Sequence, residues 1–137
     1  MTTKVVYFDL GNTLISSQGG SQAPFPDAVA TVDELWRRGY MIGLLSDQPA
    51  GTTVADVRTR LDGLGFDADH FDVITLSSEF DPPINKPDPR IFALAVAKAG
   101  HAAASHWWPQ ILNPRIAITA ICTGFENNQL PSNGCCR

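Results

Sequence analysis

Cysteine is absent from the first 121 residues. Cys122, Cys135 and Cys136 all fall within the last 16 of 137 positions. None stands at metal-ligand spacing from a histidine, so neither a disulfide framework nor a zinc module organises the chain. The adjacent Cys135 and Cys136 read either as a redox or metal pair or as free thiols in a loose tail, and free thiols are expected. Basic runs are missing as well. Ten Lys and Arg against 14 Asp and Glu give a net charge of −4, so there is no nucleic-acid-binding patch of the electrostatic kind. No apolar run reaches membrane-spanning length, and the N-terminus lacks the charged-then-apolar pattern of a secretion signal. No membrane association and a cytoplasmic location are therefore expected.

What is present suits a single soluble α/β domain. The chain is 44% hydrophobic and 18% charged, ordinary values for a globular protein. Val5 to Phe8, Tyr40 to Leu45 and Phe71 to Leu76 are short, continuously apolar runs, as expected of parallel strands covered on both faces. Between them lie amphipathic helices. One opens at Pro26-Asp27, carries Val29, Val32, Leu35 and Trp36 on one face and stops at Gly39. The next opens on Thr53-Val54-Ala55-Asp56, a capping box with Asp for Glu, and ends at Gly65. A third has Asp88 as cap, Pro89 as first residue and Gly100 as its close. Asn12 to Pro24 is rich in Gly, Ser and Gln and reads as an irregular loop. Ile116 to Ile121, IAITAI, is a candidate fourth strand. Residues 1–100 thus form the core. Residues 101–137 are an atypical C-terminal segment with one acid, Glu126, and a Trp107-Trp108 pair. Alternating strands and helices predict a doubly wound parallel sheet, incomplete at the C-terminus if that fourth strand fails to dock.

In such sheets reactive groups collect beyond the carboxyl ends of the strands. Asp9 follows the first strand, Ser46 the second, and Lys86 lies in the loop after the third. Each has a plainer reading: a turn former, a loop hydroxyl, a solvated lysine before proline. Asp47 reads as functional by position or as a turn or helix cap. Together, the first three make sense around a phosphoryl group. A carboxylate can attack phosphorus and form an aspartyl-phosphate. A lysine and a hydroxyl aimed at the phosphoryl oxygens stabilise the spread negative charge, and Mg²⁺ held by oxygen ligands would neutralise the rest.

Three stretches, FDLGNTL, IGLLSD and NKPDPRIF, stand in the order of the first three motifs of the haloacid dehalogenase-like (HAD) superfamily, which the chain resembles over Lys4 to Gly100. The resemblance implies a Rossmann-like fold and a Mg²⁺-dependent phosphatase. Asp9 would be the nucleophile and a metal ligand, Lys86 would steady nucleophile and phosphate, and Ser46 would bind phosphate. The Gly11 backbone carbonyl would be a second metal ligand. The partner implied is a phosphorylated substrate of unknown identity.

The sequence departs from that pattern in three places. Where the family usually has a second aspartate, the general acid-base, this chain has Gly11; such help is typically worth roughly 10² to 10⁴-fold. The fourth motif, whose acids hold Mg²⁺, should fall near WPQILNPR, which has none, so magnesium would bind weakly or not at all. A displaced candidate, ICTGFENN, offers Glu126 but puts Thr123 and Asn128 where aspartates belong. A frameshifted, spliced or truncated product has this texture. Finally, no segment is long enough for a cap domain, which leaves the site open to bulky substrates or covered by another copy in a homo-oligomer. Two functions follow as expectations: a capless phosphomonoester hydrolase with impaired activity, or a catalytically inactive HAD-like binding module.

Overall fold

The computed structural model describes residues 4–105 and 117–122. Four parallel strands form the main sheet in the order β5-β4-β1-β6: β1 (Lys4–Phe8), β4 (Met41–Ser46), β5 (Val73–Leu76) and β6 (Ala117–Cys122). Helices α1 (Ala28–Arg37), α2 (Val54–Gly63) and α3 (Pro89–Ser105) connect and cover it. The fold is α/β with a parallel sheet, as the alternation of strand and helix patterns implies.

Side-chain alternation along the strands sorts the core into two layers. Val5 and Tyr7 of β1, Met41 and Leu45 of β4 and Val73 of β5 pack with Ile91, Ala95 and Ala99 of α3. Phe8, Ile42, Leu44, Ile74 and Leu76 point the other way. They pack with Ala28 and Val32 of α1 and Val57 and Leu61 of α2. The sheet is therefore doubly wound, and continuous hydrophobicity in the strands is the consequence. The chain adds β4 and then β5 on one side of β1, and β6 pairs with the other side. Strand order thus reverses at β1, where a crevice opens beyond the carboxyl ends.

The helix signals hold at the local level. Thr53 Oγ1 accepts from Asp56 N, and Asp56 Oδ2 accepts from Thr53 N, a complete capping box. Gly39 (φ 83°) and Gly65 (φ 96°) take the left-handed conformation that ends α1 and α2. Asp88 Oδ1 accepts from Arg90 N at the start of α3.

Three expectations need correction. Asn12 to Pro24 is not an irregular loop: it contains an antiparallel hairpin, β2 (Ile15–Gln18) and β3 (Ser21–Pro24). Its turn is Gly19-Gly20, both at positive φ, the conformation that suits a two-residue hairpin loop. Helix α3 does not close at Gly100 but continues to Ser105, because a helix interior tolerates glycine at a modest cost of about 1 kcal/mol. Trp36, on the apolar face of α1, is not covered as that face implies: it is 44% exposed, and its ring stacks on His70 at 4.1 Å. The fourth strand is Ala117–Cys122, one residue beyond the expected span, and it pairs with β1 in parallel. The Trp107-Trp108 pair, Cys135 and Cys136 lie outside the described residues.

Two predictions concern the layer between β1 and α3. A Cβ on Gly43 would lie 2.5 Å from Tyr7 Cδ1 and Cε1, so Gly43→Ala forces the buried ring to move. Urea unfolding should show a loss of about 1–3 kcal/mol, against no loss for Gly63→Ala, where nothing lies within 4 Å. Tyr7 Oη donates to Ala95 O at 2.7 Å, and burial pushes its pKa up to about 12 from the ordinary 10. A folded-state pKa above the unfolded value means stability is retained below pH 10 and lost as pH rises through 12. Tyr7→Phe should flatten that alkaline decline in thermal melts, while losing about 1 kcal/mol at neutral pH with the hydrogen bond.

Candidate active site

Asp9 stands immediately after β1, so the strand's end projects it into the crevice. Its Oδ1 accepts from Leu10 N at 2.8 Å and pairs with Lys86 Nζ at 3.1 Å. Both bonds fall on one oxygen, which leaves Oδ2 for other work. Lys86 arrives from the loop after β5. Its Nζ also donates to Leu45 O at 3.1 Å, and its backbone N donates to Asp47 Oδ1 at 3.0 Å. The lysine therefore ties the ends of β1 and β4 to the loop after β5. Asp47 is not the cap of a helix, since Thr53 caps α2. Its carboxylate holds the lysine's own backbone.

Ser46 is the last residue of β4 and is 2% exposed. Its Oγ accepts from Gln48 Nε2 at 2.8 Å. That bond uses a lone pair, so the hydroxyl proton remains a donor. Gln48 is fixed in turn: its N donates to Ser77 Oγ, which donates back to Gln48 O, at 2.7 and 3.0 Å. Its Oε1 accepts from Arg60 Nη1 of α2 at 3.3 Å.

A pocket of about 550 Å³ is lined by Asp9, Gly11, Ser46, Asp47, Gln48 and Arg60, among others, and Lys86 reaches it through its contact with Asp9. The hairpin forms its opposite wall with Ile15, Ser17 and Gln22. Gly11 anchors the hairpin base through a parallel bridge to Ile15. The bonds of that bridge run from Asn12 N to Ile15 O and from Ile15 N to Leu10 O, so the Gly11 carbonyl takes part in neither. A Cβ on Gly11 would meet nothing within 4 Å, and its φ is not in the positive range.

The structure thus brings together Asp9, Gly11, Ser46 and Lys86, the four positions singled out from sequence. Thr123 and Glu126, the displaced fourth-motif candidates, lie outside the described residues. Among the described residues no group of three or more His, Cys, Asp and Glu is placed to hold a metal. Among the lining residues, the oxygen donors available to a hard cation include the Asp9 and Asp47 carboxylates and the Gly11 backbone. Mg²⁺ commonly takes one or two carboxylates and fills its octahedron with water and substrate phosphate, and this donor set fits that partial role. Sequence reasoning missed Gln48, Arg60 and the hairpin wall. Gly19-Gly20 between two polar tetrapeptides was a usable hairpin signal, whereas Gln48 and Arg60 carry none, because only folding places them beside Ser46.

No family model matches the chain, and no curated protein matches it. Among solved structures, an uncharacterized protein from Listeria monocytogenes serotype 4b is similar at 22% identity and a TM-score of 0.59. The match covers 71% of this chain and 60% of that one. A HAD phosphatase from Thermococcus onnurineus is similar at 26% identity and a TM-score of 0.43, covering 56% of this chain and 32% of that one. The chain spans less than two thirds of either protein. The first similarity is one of fold, a parallel-sheet α/β architecture held in common.

Proposed function

We propose that this chain is a HAD-type phosphomonoester hydrolase working through an aspartyl-phosphate. The observation that carries the reading is the 3.1 Å contact between Asp9 Oδ1 and Lys86 Nζ at the end of β1, in a site that also holds the buried hydroxyl of Ser46. In this reading Asp9 Oδ2 attacks phosphorus, the ester P–O bond breaks, and its electron pair leaves with the alcohol oxygen. Lys86 holds Oδ1, which orients the attacking oxygen and places positive charge beside the transferring group. The Ser46 hydroxyl donates to a phosphoryl oxygen, where charge builds up as the ester bond opens. Magnesium, which the Asp9 carboxylate and the Gly11 carbonyl would hold, would supply further charge neutralisation at phosphorus. The departing alkoxide takes its proton from water, since Gly11 brings no acid. A second water then attacks phosphorus, breaking the acyl-phosphate P–O bond and returning Asp9 to its carboxylate.

Gly11 favours a second reading, a non-catalytic module that binds phosphomonoesters in the same pocket without turning them over. The two part on turnover. Purified protein should release phosphate from an aryl phosphate in the presence of Mg²⁺, and Asp9→Asn, which keeps the shape but removes the nucleophilic charge, should abolish release. Aryl phosphate binding without turnover in the unmodified chain would select the binding module instead.

The open space at Gly11 yields a second test. Because a Cβ there meets no atom within 4 Å and the backbone is not at positive φ, Gly11→Asp should fold normally. It should raise the hydrolysis rate towards the roughly 10² to 10⁴-fold range of general acid-base catalysis. An unchanged rate in a folded Gly11→Asp protein would show that proton transfer does not limit this enzyme.

A further inference from the structure

Arg60 lies on the last turn of α2 and lines the same pocket as Asp9 and Ser46. Its one hydrogen bond among the described residues goes to a neutral acceptor, Gln48 Oε1, at 3.3 Å. No carboxylate of the described residues lies within ion-pair distance of its guanidinium. Asp56, one turn earlier on α2, is engaged in the capping box, with Oδ2 accepting from Thr53 N at 2.8 Å. The Thr53 hydrogen bonds lower its pKa most, and the Arg60 charge adds only the smallest part. Arg60 is therefore a half-buried cation at the pocket wall without a salt-bridge partner. A guanidinium offers five donors in a planar fork matched to carboxylate and phosphate, and one weak bond to a carboxamide uses few of them.

Its position relative to the proposed phosphate site is set by Gln48. That single carboxamide donates to Ser46 Oγ at 2.8 Å through Nε2 and accepts from Arg60 through Oε1. The Ser46 hydroxyl and the Arg60 fork are thus held one carboxamide apart along one wall. The charges lining the pocket include two carboxylates, Asp9 and Asp47, and Arg60 is the cation that joins them. Lys86 is committed to Asp9 and Leu45 O.

We infer that Arg60 is a specificity residue that binds a second anionic group of the substrate, so that the preferred ligand is a phosphomonoester carrying a further phosphate or carboxylate a few bonds from the ester. The inference rests on the phosphomonoester reading above and names the substrate class for that site. Gln48 sets the spacing between the two anion positions and keeps the Ser46 proton free to donate.

Calorimetric titration tests this on full-length protein carrying Asp9→Asn, so that no ligand is consumed. The probes are butyl phosphate, with one anionic group, butanediol bisphosphate, and the phosphate ester of hydroxybutyrate. The two-anion probes should bind about two- to fivefold more tightly than butyl phosphate, the scale of a partly exposed ion pair. Adding Arg60→Gln should bring that ratio close to one, and Arg60→Lys, which keeps the charge, should restore most of it. A gain with both two-anion probes means that any second anion is accepted. A gain with one identifies whether phosphate or carboxylate is preferred. A ratio near one in the parent, or a ratio that Arg60→Gln leaves unchanged because all three ligands weaken together, overturns the inference. If butyl phosphate then still binds and Ser46→Ala weakens it, the phosphomonoester reading survives that failure. Failure of every probe to bind removes both readings. Thermal melts establish that each variant is folded before titration.

Discussion

Val5, Tyr7 and Phe8 are at most 1% exposed although they point to opposite faces of β1. Helices on both sides leave the strand largely dry, and an unpaired polar group inside such a sandwich is costly; among the described side chains Thr75 Oγ1 of β5 is the buried one without a partner. Polar chemistry is therefore driven to the strand ends. Asp9 comes one residue after β1, Ser46 is the final residue of β4, and Lys86 follows β5. The same exclusion of water explains why the Tyr7 hydroxyl must find Ala95 O and why its proton is held well above the ordinary range. The location of the site is thus a consequence of how the core is covered.

Within the site, charge is distributed unevenly over the Asp9 carboxylate. One oxygen is engaged by a backbone N–H and an ammonium, and the other is left open. An acid held in this way is oriented without being neutralised on both sides, which suits a group that must approach another atom. Lys86 is constrained as firmly, because Leu45 O and Asp47 fix it from the β4 side. Three segments distant in sequence therefore agree on the position of one ion pair. Such agreement is worth more as a sign of purpose than an exposed pair of equal length, which contributes little to stability.

The strands of the main sheet were legible because parallel strands buried on two faces must be continuously apolar, and Val5 to Phe8, Tyr40 to Leu45 and Phe71 to Leu76 are. Helix starts were legible where a cap has its own chemistry, as at Thr53 and Pro89. The hairpin was not read, since Ile-Ser-Ser-Gln and Ser-Gln-Ala-Pro lack the β-branched and aromatic residues that mark strands. Its pairing is carried by backbone bonds and by Gly19-Gly20. Gly100 misled because glycine ends helices only where the left-handed conformation is adopted, and here the helix runs on. Asp9, Ser46 and Lys86 could be found as residues following strands, whereas Gln48 and Arg60 are 12 positions apart and meet only through the turn of α2 over the sheet.

The placement of β6 has a consequence for how the chain acquires its shape. One edge of β1 is closed by β4, about a third of the way along, but the other pairs Lys4 with Ala117 and Phe8 with Cys122. In synthesis β1 precedes both of its neighbours, so it is flanked by β4 well before it can be flanked by β6. Until residue 122 has left the ribosome, β1 offers a row of unpaired N–H and C=O groups to any extended segment nearby, including that of another nascent copy. Contacts of such long sequence separation also slow folding. The strand that leads to Asp9 therefore stays half-flanked until a segment far later in the sequence has been made.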